Sequence, residues 1–509
     1  MTGTAPGGRF YLKEGIRLIN GPTQGFVLQD TPLRVVRINK AAVRILEKCR
    51  TGFSLTAKND DRYLAEMLFF LDHFYEAGIL DWIPPENLYQ PTVSIVVPVY
   101  NRAHDIDACL ESLLSLNYPE SKREIIIVDD ASWDNTAAVV KQYNVRLIIQ
   151  PENLGQSAAR NAGVKVSKGD IIAFIDSDCI ADPNWLTELV TYFHDPRLVL
   201  IGGYVDSVFS ESHLDRYEKV CSPLNMGSKP ILGKDKHTIF YVPTCNMLVK
   251  KEIYTQEGGL DEKLRVGEDV DLCWKLMSKG YRLMYVPKGR IKHKHRNHFY
   301  QCFRRRFHYG TSEAVLYDKY RHVQKKFPYH WEGIFLLVLI LIGLTMRSPL
   351  LLFLASSVII AEPIQKKIRL KYKFNLNIAL GDIIPATLKH HILLNYHFGY
   401  HMARYYLLPV IIISIWLPQV ALPLMMLVTL PIVFQYFQKK PRLNFALFAL
   451  FFWIEQLFYQ VGVFWGCLKQ GSCRLYYVSF SNSSFLKKKP QPIRERIKSM
   501  FRKNRNASL

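Results

Sequence analysis

The sequence has no Cys-x-x-Cys pair, and its nine cysteines are scattered and odd in number. Structural zinc sites and disulfide frameworks need cysteines paired at short spacing, so this usage argues against both and fits a reducing compartment. Acidic residues are also scarce, with 44 aspartates and glutamates against 66 lysines and arginines, which gives a formal net charge of +22. An excess of that size indicates either a nucleic-acid or an anionic-lipid partner.

The positions of the basic residues favour lipid. Each cluster borders hydrophobic sequence: Lys366, Lys367, Arg369, Lys371 and Lys373 follow one apolar block, Lys439, Lys440 and Arg442 follow a second, and residues 487–489 and 502–503 lie in the tail. No aromatic-interleaved motif of the kind that binds nucleic acid accompanies them. We therefore expect membrane lipids, and no nucleic acid, among the partners.

The clearest chemical pattern is a strand that ends in two carboxylates. Residues 171–175 are short, β-branched and aromatic, which predicts a buried strand, and Asp176 and Asp178 follow it at spacing i, i+2. Strand periodicity places both carboxylates on one side of the backbone, at the strand end where open α/β sheets bind ligands. Two hard oxygen donors there suit Mg²⁺ or Mn²⁺ carrying a substrate diphosphate. A solvated aspartate-rich turn is the simpler alternative for an isolated Asp-x-Asp.

Further strand and loop segments precede this pair. Predicted strands at residues 91–98, 124–128 and 145–149 are followed by polar loops and by helix-like stretches at 106–116, 134–142 and 157–163. Strands that alternate with helices predict a mainly parallel sheet, with the loops converging on one edge.

In their order, these segments resemble the motif set of family 2 glycosyltransferases. The matching segments are residues 94–102, 128–132, 153–163, 176–178 and 267–271. The resemblance implies an α/β GT-A fold that binds a nucleotide-diphosphate sugar, with a UDP-sugar as the expected donor. The chain lacks the Gln-x-x-Arg-Trp sequence of the large processive synthases, which argues against synthesis of long chains.

The resemblance also implies roles for individual residues. The nucleotide-sugar site is expected to contain Pro98, Val99, Asn101, Asp129 and Asp130, with Arg160 beside the base and diphosphate. Asp178 is the expected direct metal ligand, whereas Asp176 contacts the ribose or a metal-bound water. Asp269 is the expected general base, and Glu268 orients it or the acceptor. A base in that position implies a single displacement that inverts the anomeric carbon.

The chemistry of the residues agrees with these roles. Displacing a nucleoside diphosphate requires neutralisation of the leaving group's charge and deprotonation of the attacking hydroxyl. Residues 267–269 precede an amphipathic run, so the carboxylates of Glu268 and Asp269 are expected near a helix N-terminus, where negative charge is favoured. A charged helix cap without catalytic role is the alternative for this tripeptide alone.

Two basic segments are open to more than one interpretation. His293 and His295 would lie on one face of an extended segment, so either could bind metal or diphosphate, and His295 is the metal-ligand candidate; a solvated basic strand is the alternative. In the run 304–306, Arg305 and Arg306 could contact the diphosphate, as arginine does well. Contact with the membrane surface is an equal alternative for that run.

The hydrophobic blocks after this domain are long but interrupted. Residues 333–346 and 350–361 are each shorter than the ~20 residues that a spanning helix needs. Residues 405–437 contain four prolines, which predicts a bent hairpin and not two straight spans. Basic clusters after both blocks predict that each returns to the cytosolic side. A soluble core is the less favoured interpretation of these blocks.

The last hydrophobic block, residues 443–468, fits an interfacial helix as well as a span, because it contains Glu455 and Gln456. A crossing there would export the basic tail, which disfavours a span. No signal peptide is visible at the N-terminus, so we expect the catalytic domain on the cytosolic side of the cell (inner or plasma) membrane.

Residues 1–90 are predicted to form a separate unit that ends in a proline-rich boundary. Short strands at 26–28 and 35–38 and helices at 41–49 and 62–77 predict a small winged-helix-like α+β domain. This domain resembles the PqqD-type modules that clamp precursor peptides. A packing or regulatory appendage is the alternative.

The whole arrangement resembles the mycofactocin-system glycosyltransferases. Its parts are an N-terminal module (1–90), a family 2 domain (91–325), helical hairpins and interfacial helices (326–470) and a basic tail (471–509), with residues 305–310 and 461–466 as supporting motifs. The resemblance implies transfer of glucose to a hydroxyl of a peptide-derived redox cofactor precursor. A transferase for membrane polysaccharide or lipid-linked sugar would use the same residues. A non-catalytic peptide-binding scaffold is the alternative of another class, and the intact Asp178 and Asp269 argue against it.

Overall fold

The computed structural model describes residues 8–21, 24–30, 33–55, 61–85, 89–233, 239–323, 325–328 and 330–481. The residues predicted to form the basic tail beyond 481 lie outside the described part. The described residues form an N-terminal unit, a central α/β domain and a group of long apolar helices.

The N-terminal unit combines two small sheets with two helices. Its elements are β1 (Arg9–Leu12), β2 (Ile16–Asn20), β3 (Gly25–Asp30), β4 (Leu33–Ile38), α1 (Lys40–Lys48), α2 (Asp61–Glu76) and β5 (Leu80–Ile83). Strands β2, β3 and β4 form an antiparallel sheet, and β1 pairs with β5. The predicted strands and helices are found here, together with three strands that the sequence did not indicate. The winged-helix-like class of this unit stays a prediction.

The central domain is built on one eight-stranded sheet. Its elements are β6 (Val93–Val99), α3 (Ile106–Leu114), β7 (Arg123–Asp129), α4 (Thr136–Val140), β8 (Arg146–Ile149), α5 (Gln156–Val166), β9 (Ile171–Ile175), β10 (Cys179–Ala181), α6 (Trp185–Val190), β11 (Leu198–Gly202), β12 (Val205–Ser207), α7 (His213–Cys221), β13 (Ile231–Gly233), β14 (Asn246–Lys250), α8 (Lys251–Gln256), α9 (Glu268–Ser278), β15 (Arg282–Tyr285), β16 (Ile291–His293), α10 (Phe299–Lys319) and β17 (Lys326–Pro328). The strand order is β13-β15-β11-β14-β9-β6-β7-β8.

This sheet is mixed. Strands β9, β6, β7 and β8 are parallel neighbours, as predicted, and every residue of β6 and β9 is buried. The antiparallel pairings involve β13 and β14. Strands β15, β11, β9, β6, β7 and β8 all run in one direction, so the expectation of a mainly parallel sheet is confirmed, and only β13 and β14 of this sheet are reversed. A smaller sheet, β10-β16-β12, stands beside the end of β9.

Five apolar helices follow the central domain. They are α11 (Trp331–Thr345), α12 (Pro349–Phe374), α13 (Leu380–Trp416), α14 (Pro418–Lys439) and α15 (Phe445–Gln470), and a final short strand, β18 (Ser479–Ser481), pairs with β17. Within the described residues, α12, α13, α14 and α15 are long and apolar enough to cross a membrane, with mean hydropathies of 1.3, 1.2, 1.9 and 1.5.

The prediction of a proline-bent hairpin at residues 405–437 is corrected in one respect, its judgement that the block is too short for two straight spans. The break falls between Trp416 and Pro418, and α13 starts as early as Leu380, so the two helices have 37 and 22 residues. The first half of α13 contains lysine and several histidines, which concealed its continuity with the apolar half. The predicted break between residues 346 and 350 is found between α11 and α12.

Candidate active site

A cleft of about 510 Å³ opens where β6, β7 and β9 reach their carboxyl ends. Among the residues that the sequence analysis selected, it is lined by Pro98, Val99, Asp130, Asp176, Asp178, Glu268, Asp269, His295, Arg305 and Arg306. Asn101, Asp129 and Arg160 lie behind this lining and contact the loops that form it. The predicted convergence of polar loops on one sheet edge is therefore present.

Asn101 shapes the loop after β6. Its backbone has a φ of 52°, in the left-handed region that asparagine tolerates better than most residues. The Asn101 amide N–H donates to Ser132 Oγ at 2.8 Å, and the Trp133 amide N–H donates to Asn101 Oδ1 at 3.0 Å. Asn101 thus ties the loop after β6 to the loop after β7.

Asp129 and Asp130 are both buried, and backbone amides satisfy their carboxylates. Asp129 Oδ1 accepts from the Ser132 amide at 3.0 Å. The two oxygens of Asp130 accept from the amides of Leu154 and Gly155, each at 2.8 Å, which fixes the loop after β8. Together with Asn101, these two side chains hold the loops after β6, β7 and β8 together at one side of the cleft.

The two aspartates of the Asp-x-Asp pair after β9 have different partners. Asp176 Oδ1 accepts from the buried guanidinium of Arg160 at 2.5 Å. Asp178 remains at the cleft surface, with Oδ1 3.5 Å from His293 Nε2 and Oδ2 3.5 Å from an Arg102 guanidinium nitrogen. Both carboxylates line the cleft, but only that of Asp176 is held in a close ion pair, so the oxygens of Asp178 are the ones left to a ligand.

Asp178 and His293 fit a divalent cation. A carboxylate oxygen and an imidazole nitrogen 3.5 Å apart are spaced nearly as adjacent ligands of an octahedral Mg²⁺ or Mn²⁺, which lie about 3 Å apart when each bond is ~2.1 Å. Cys179 Sγ belongs to the same cluster. A thiol is a soft ligand that Mg²⁺ and Mn²⁺ disfavour, so the carboxylate and the imidazole are the donors of this cluster that suit such a cation.

His293, and not His295, stands beside Asp178. Strand β16 pairs with β10 so that His293 lies opposite Cys179. Because β16 ends at His293, the two histidines no longer share a face. His295 instead uses both ring nitrogens, with Nδ1 2.6 Å from Ser207 Oγ and Nε2 3.2 Å from Asp215 Oδ1. The structure thus brings His293, and not the predicted candidate His295, next to Asp178.

Asp269 lies at the first turn of α9, which begins at Glu268. The preceding Gly267 has a φ of 86°, and a β-carbon there would approach Leu316 Cδ1 to 3.1 Å, so this turn requires glycine. Asp269 Oδ1 accepts from the Val270 amide at 2.8 Å. Burial raises the pKa of Asp269, which makes its carboxylate a stronger base than a solvated aspartate.

Glu268 and Arg160 connect this helix to the Asp-x-Asp pair. Glu268 Oε1 accepts from Gln156 Nε2 at 2.6 Å and lies 3.4 Å from Arg160 Nη1, while the other guanidinium nitrogen of Arg160 holds Asp176. Burial and the charge of Asp269 raise the pKa of Glu268, and Arg160 opposes that rise. Arg160 is 1% exposed, so it acts beneath the cleft and not beside the base and diphosphate as predicted.

The two neighbouring arginines of α10 have different surroundings. Arg305 reaches the cleft and stacks over Tyr309, with its guanidinium carbon 5.0 Å from the ring centroid. Arg306 is buried, with Nη2 2.5 Å from Glu218 Oε1 and Nε 3.6 Å from Glu455 Oε1. Of the predicted diphosphate contacts, Arg305 is available to an anion, whereas Arg306 is engaged in an ion-pair network.

Other cleft residues were not assigned by sequence reasoning. The cations Arg102, Lys294 and Arg296 line the same side as Asp178. Lys294 Nζ donates to Asp105 Oδ1 at 3.0 Å, which places it at the rim. The sequence did contain a signal for Lys294 and Arg296, which alternate with the two histidines. Alternate residues of an extended segment lie on one face, so both cations could have been predicted to line one cleft.

The mixed α/β sheet and the acidic cleft at the carboxyl ends of its strands agree with the expected GT-A fold. Residues 94–257 match the family model described as glycosyl transferase family 2. This match covers most of the segments whose order resembles the family 2 motif set.

Two curated relatives and one solved structure show what the chain is similar to. It is 31% identical over 322 residues to "Pre-mycofactocin glycosyltransferase" of Mycobacterium tuberculosis (strain H37Rv), covering 62% of this chain and 65% of the relative. It is 32% identical over 203 residues to "Glycosyltransferase AglE" of Haloferax volcanii, covering 38% of this chain and 64% of the relative. The aligned regions thus span just under two thirds of either relative's length. The mannosyltransferase PcManGT from Pyrobaculum calidifontis, solved with GDP-Man and Mn²⁺, is 18% identical, with 64% of this chain and 95% of that chain covered and a TM-score of 0.38.

Proposed function

We propose that the protein transfers a sugar, glucose from a UDP-sugar donor, to a hydroxyl of a peptide-derived redox cofactor precursor of the mycofactocin type. The observation that carries the proposal is that one cleft contains a cation-binding pair (Asp178 and His293), a base (Asp269) and an anion-binding arginine (Arg305). The similarity to the relative named pre-mycofactocin glycosyltransferase supports the acceptor class. Inversion of the anomeric carbon follows from direct attack assisted by a base.

In this mechanism the side chains after β9 and in β16 serve the leaving group. Asp178 and His293 would hold Mg²⁺ or Mn²⁺, with Asp176 fixed beside them by Arg160. A bound divalent cation supplies neutralisation of the charge that develops on the diphosphate. Arg305, which lines the same cleft, is available to bind diphosphate oxygens through its planar guanidinium.

The side chains at the start of α9 serve the acceptor. Asp269 accepts the proton of the attacking hydroxyl, and its raised pKa improves it as a base. Glu268 is held by Gln156 and Arg160, so it positions the first turn of α9 and does not move toward the acceptor. The proton acceptor and the cation site are thereby kept in one rigid frame.

The acceptor class is tested by product analysis. The full chain, supplied with UDP-glucose and the peptide-derived precursor, is expected to yield a small soluble product heavier by one hexose in mass spectra. Radiolabel from the donor that enters a lipid-linked or polymeric fraction instead would favour the polysaccharide or lipid-linked alternative. Failure of every acceptor, with peptide binding retained, would favour the non-catalytic scaffold.

The N-terminal unit is proposed to recognise the peptide part of the acceptor, but it also joins the other regions. Phe26 of its sheet packs with Leu370 and Ile383 at the corner between α12 and α13, and Arg17 pairs with Asp382 at 3.1 Å. Removal of the unit would uncover these apolar contacts. Peptide recognition is therefore better tested by titrating the precursor into the full chain than by truncation.

We also propose that α11 with α12, and α13 with α14, form hairpins that enter the membrane and return to the cytosolic side, where the catalytic domain lies. The end of α12 is tied to the N-terminal unit, and the end of α14 is tied to the central domain, where Arg216 donates to the Arg442 carbonyl at 3.5 Å. The turns of both hairpins expose apolar side chains, with Met346 70% and Trp416 80% exposed.

This topology predicts a labelling pattern. Cysteines introduced at the exposed Lys373 and Arg442, in a background without the native Cys221 and Cys473, are expected to react with a membrane-impermeant maleimide only after the cells are opened. Reaction of either position in intact cells would show that its hairpin ends on the outer side.

A further inference from the structure

Two of the sequence motifs, residues 305–310 and 461–466, meet in the structure, and the proposed mechanism uses only Arg305 of them. Gly310 of α10 lies against the backbone of α15 at Tyr459, and Gly462 of α15 lies against the backbone of α10 at Phe307. A β-carbon on either glycine would overlap the other helix's carbonyl oxygen. Thr311 Oγ1 donates to the Gly462 carbonyl at 3.2 Å. The two motifs are thus the two sides of one close helix contact.

Polar side chains extend this contact along α15. Glu455 accepts from Tyr217 Oη at 2.8 Å and pairs with Arg306. Tyr459 Oη donates to Glu313 Oε2 of α10 at 2.5 Å. These residues come from the central domain, so one face of α15 is covered by a water-soluble domain over several turns.

A second helix covers the same face. Gln460 donates to the Tyr405 carbonyl at 2.9 Å, and its Oε1 accepts from the Leu408 amide at 3.1 Å. Gln456, one turn earlier, is 1% exposed and lies 3.4 Å from Arg404. Glu455, Gln456, Tyr459 and Gln460 of α15 therefore all face protein.

The opposite face of α15 is an apolar stripe. Its residues are Leu450, Val461, Phe464, Trp465 and Leu468, each about half exposed and at the spacing of one helix face. Basic residues stand at both ends of the helix, with Lys439, Lys440 and Arg442 before it and Lys469 and Arg474 after it. A one-sided apolar stripe between cationic ends is typical of a helix that lies in a membrane surface rich in anionic headgroups.

We propose that α15 does not cross the membrane but lies in the plane of its surface, with the stripe against lipid and the other face forming the floor of the catalytic domain. A crossing would take Glu455 and Arg306, the residue of α10 that pairs with it, into hydrocarbon, where ionised groups are strongly disfavoured. Arg305 reaches the cleft from the same turn of α10 whose Arg306 contacts α15, so the cleft stands directly on this helix. The inference rests on the proposed membrane location and assigns the acceptor's entry to the headgroup level.

The two ends of α15 test the proposal. The exposed native Cys473 reports the end after the helix, and Arg442→Cys, in a background without Cys221 and Cys473, reports the end before it. With an impermeant maleimide, both are expected to react only after the cells are opened. Reaction of both in intact cells would contradict the hairpin topology but keep α15 in the membrane plane. Reaction of one and not the other in intact cells would overturn the proposal.

A matched pair of substitutions tests the role of α15 as a floor. Gly462→Leu should lower sugar-nucleotide hydrolysis by roughly tenfold or more, because it displaces the α10 helix that carries Arg305. Val461→Leu, the adjacent position on the lipid-facing stripe, should leave hydrolysis unchanged. Equal hydrolysis by both variants would overturn the floor role, and if Gly462→Leu fails to fold, the labelling of the two ends decides the orientation alone.

Discussion

Replacing Asp269 by asparagine is expected to lower glycosyl transfer by roughly 10²-fold or more while donor binding is retained. Asparagine keeps the shape of the side chain, and its oxygen can still accept from the Val270 amide, so the first turn of α9 should be preserved. The amide cannot take the proton of the attacking hydroxyl. The measurement is single-turnover transfer alongside a titration of the sugar nucleotide.

Asp271→Asn is the matched control for that variant, because Asp271 lies on the same helix but is turned into the core. Its Oδ1 accepts from Tyr320 Oη at 2.8 Å and pairs with Lys319 at 2.7 Å. Asp271→Asn should lower the Tm while turnover of the folded protein is kept. Normal transfer by Asp269→Asn together with weakened donor binding would move Asp269 from the acceptor side to the nucleotide site.

Much of the sheet edge could be predicted, because its signals are local. A short apolar run followed by polar residues defines both a strand and its carboxyl end, and β9 coincides with the predicted residues 171–175. The helices at α3 and α5 were also predicted close to their observed bounds. Loops after neighbouring parallel strands lie at the same edge of the sheet. Asp130 and Asp178 could therefore be predicted to line one cleft without knowledge of the tertiary structure.

The roles of Arg160 and the two histidines could not be predicted in the same way. Whether an arginine reaches a ligand or bridges two carboxylates depends on how α5 packs against α9, which is a long-range contact. The choice between His293 and His295 depends on where β16 ends and on Ser207 and Asp215, which come from distant segments. Alternation along a strand predicts a shared face only while the strand lasts.

The apolar region shows a related limit. Hydropathy identified its blocks, but α13 runs through a polar half that contains His391 and Arg404. Both side chains are covered by other helices, with His391 Nε2 2.7 Å from Glu362 Oε2 and Arg404 stacked on Tyr459. A polar residue that is satisfied by a neighbouring helix does not end a helix, although it lowers the hydropathy of the window that contains it.

Asp178→Ala is expected to abolish transfer while the fold is retained, and excess EDTA should do the same to the wild-type protein. Asp178 lines the cleft, and in the described part of the chain no backbone amide donates to its carboxylate, so its loss should remove the oxygen donor beside His293 without opening the sheet. The charge that develops on the leaving diphosphate would then lack its main neutralising partner. Transfer is measured across a range of Mg²⁺ and Mn²⁺ concentrations, with the Tm recorded in parallel.

Asp170→Ala is the matched control for the metal prediction, since Asp170 lies just before the same strand, β9, at the end away from the cleft. Its side chain accepts from Thr92 Oγ1 at 2.6 Å at an exposed position, so its loss should leave transfer and metal dependence unchanged. His293→Ala should raise the metal concentration needed for half-maximal transfer by roughly tenfold or more, whereas His295→Ala should mainly lower the Tm. If instead Asp178→Ala or EDTA-treated protein retains full transfer, the cation-dependent mechanism is wrong, and Arg305 with the other cleft cations must carry the stabilisation of the diphosphate.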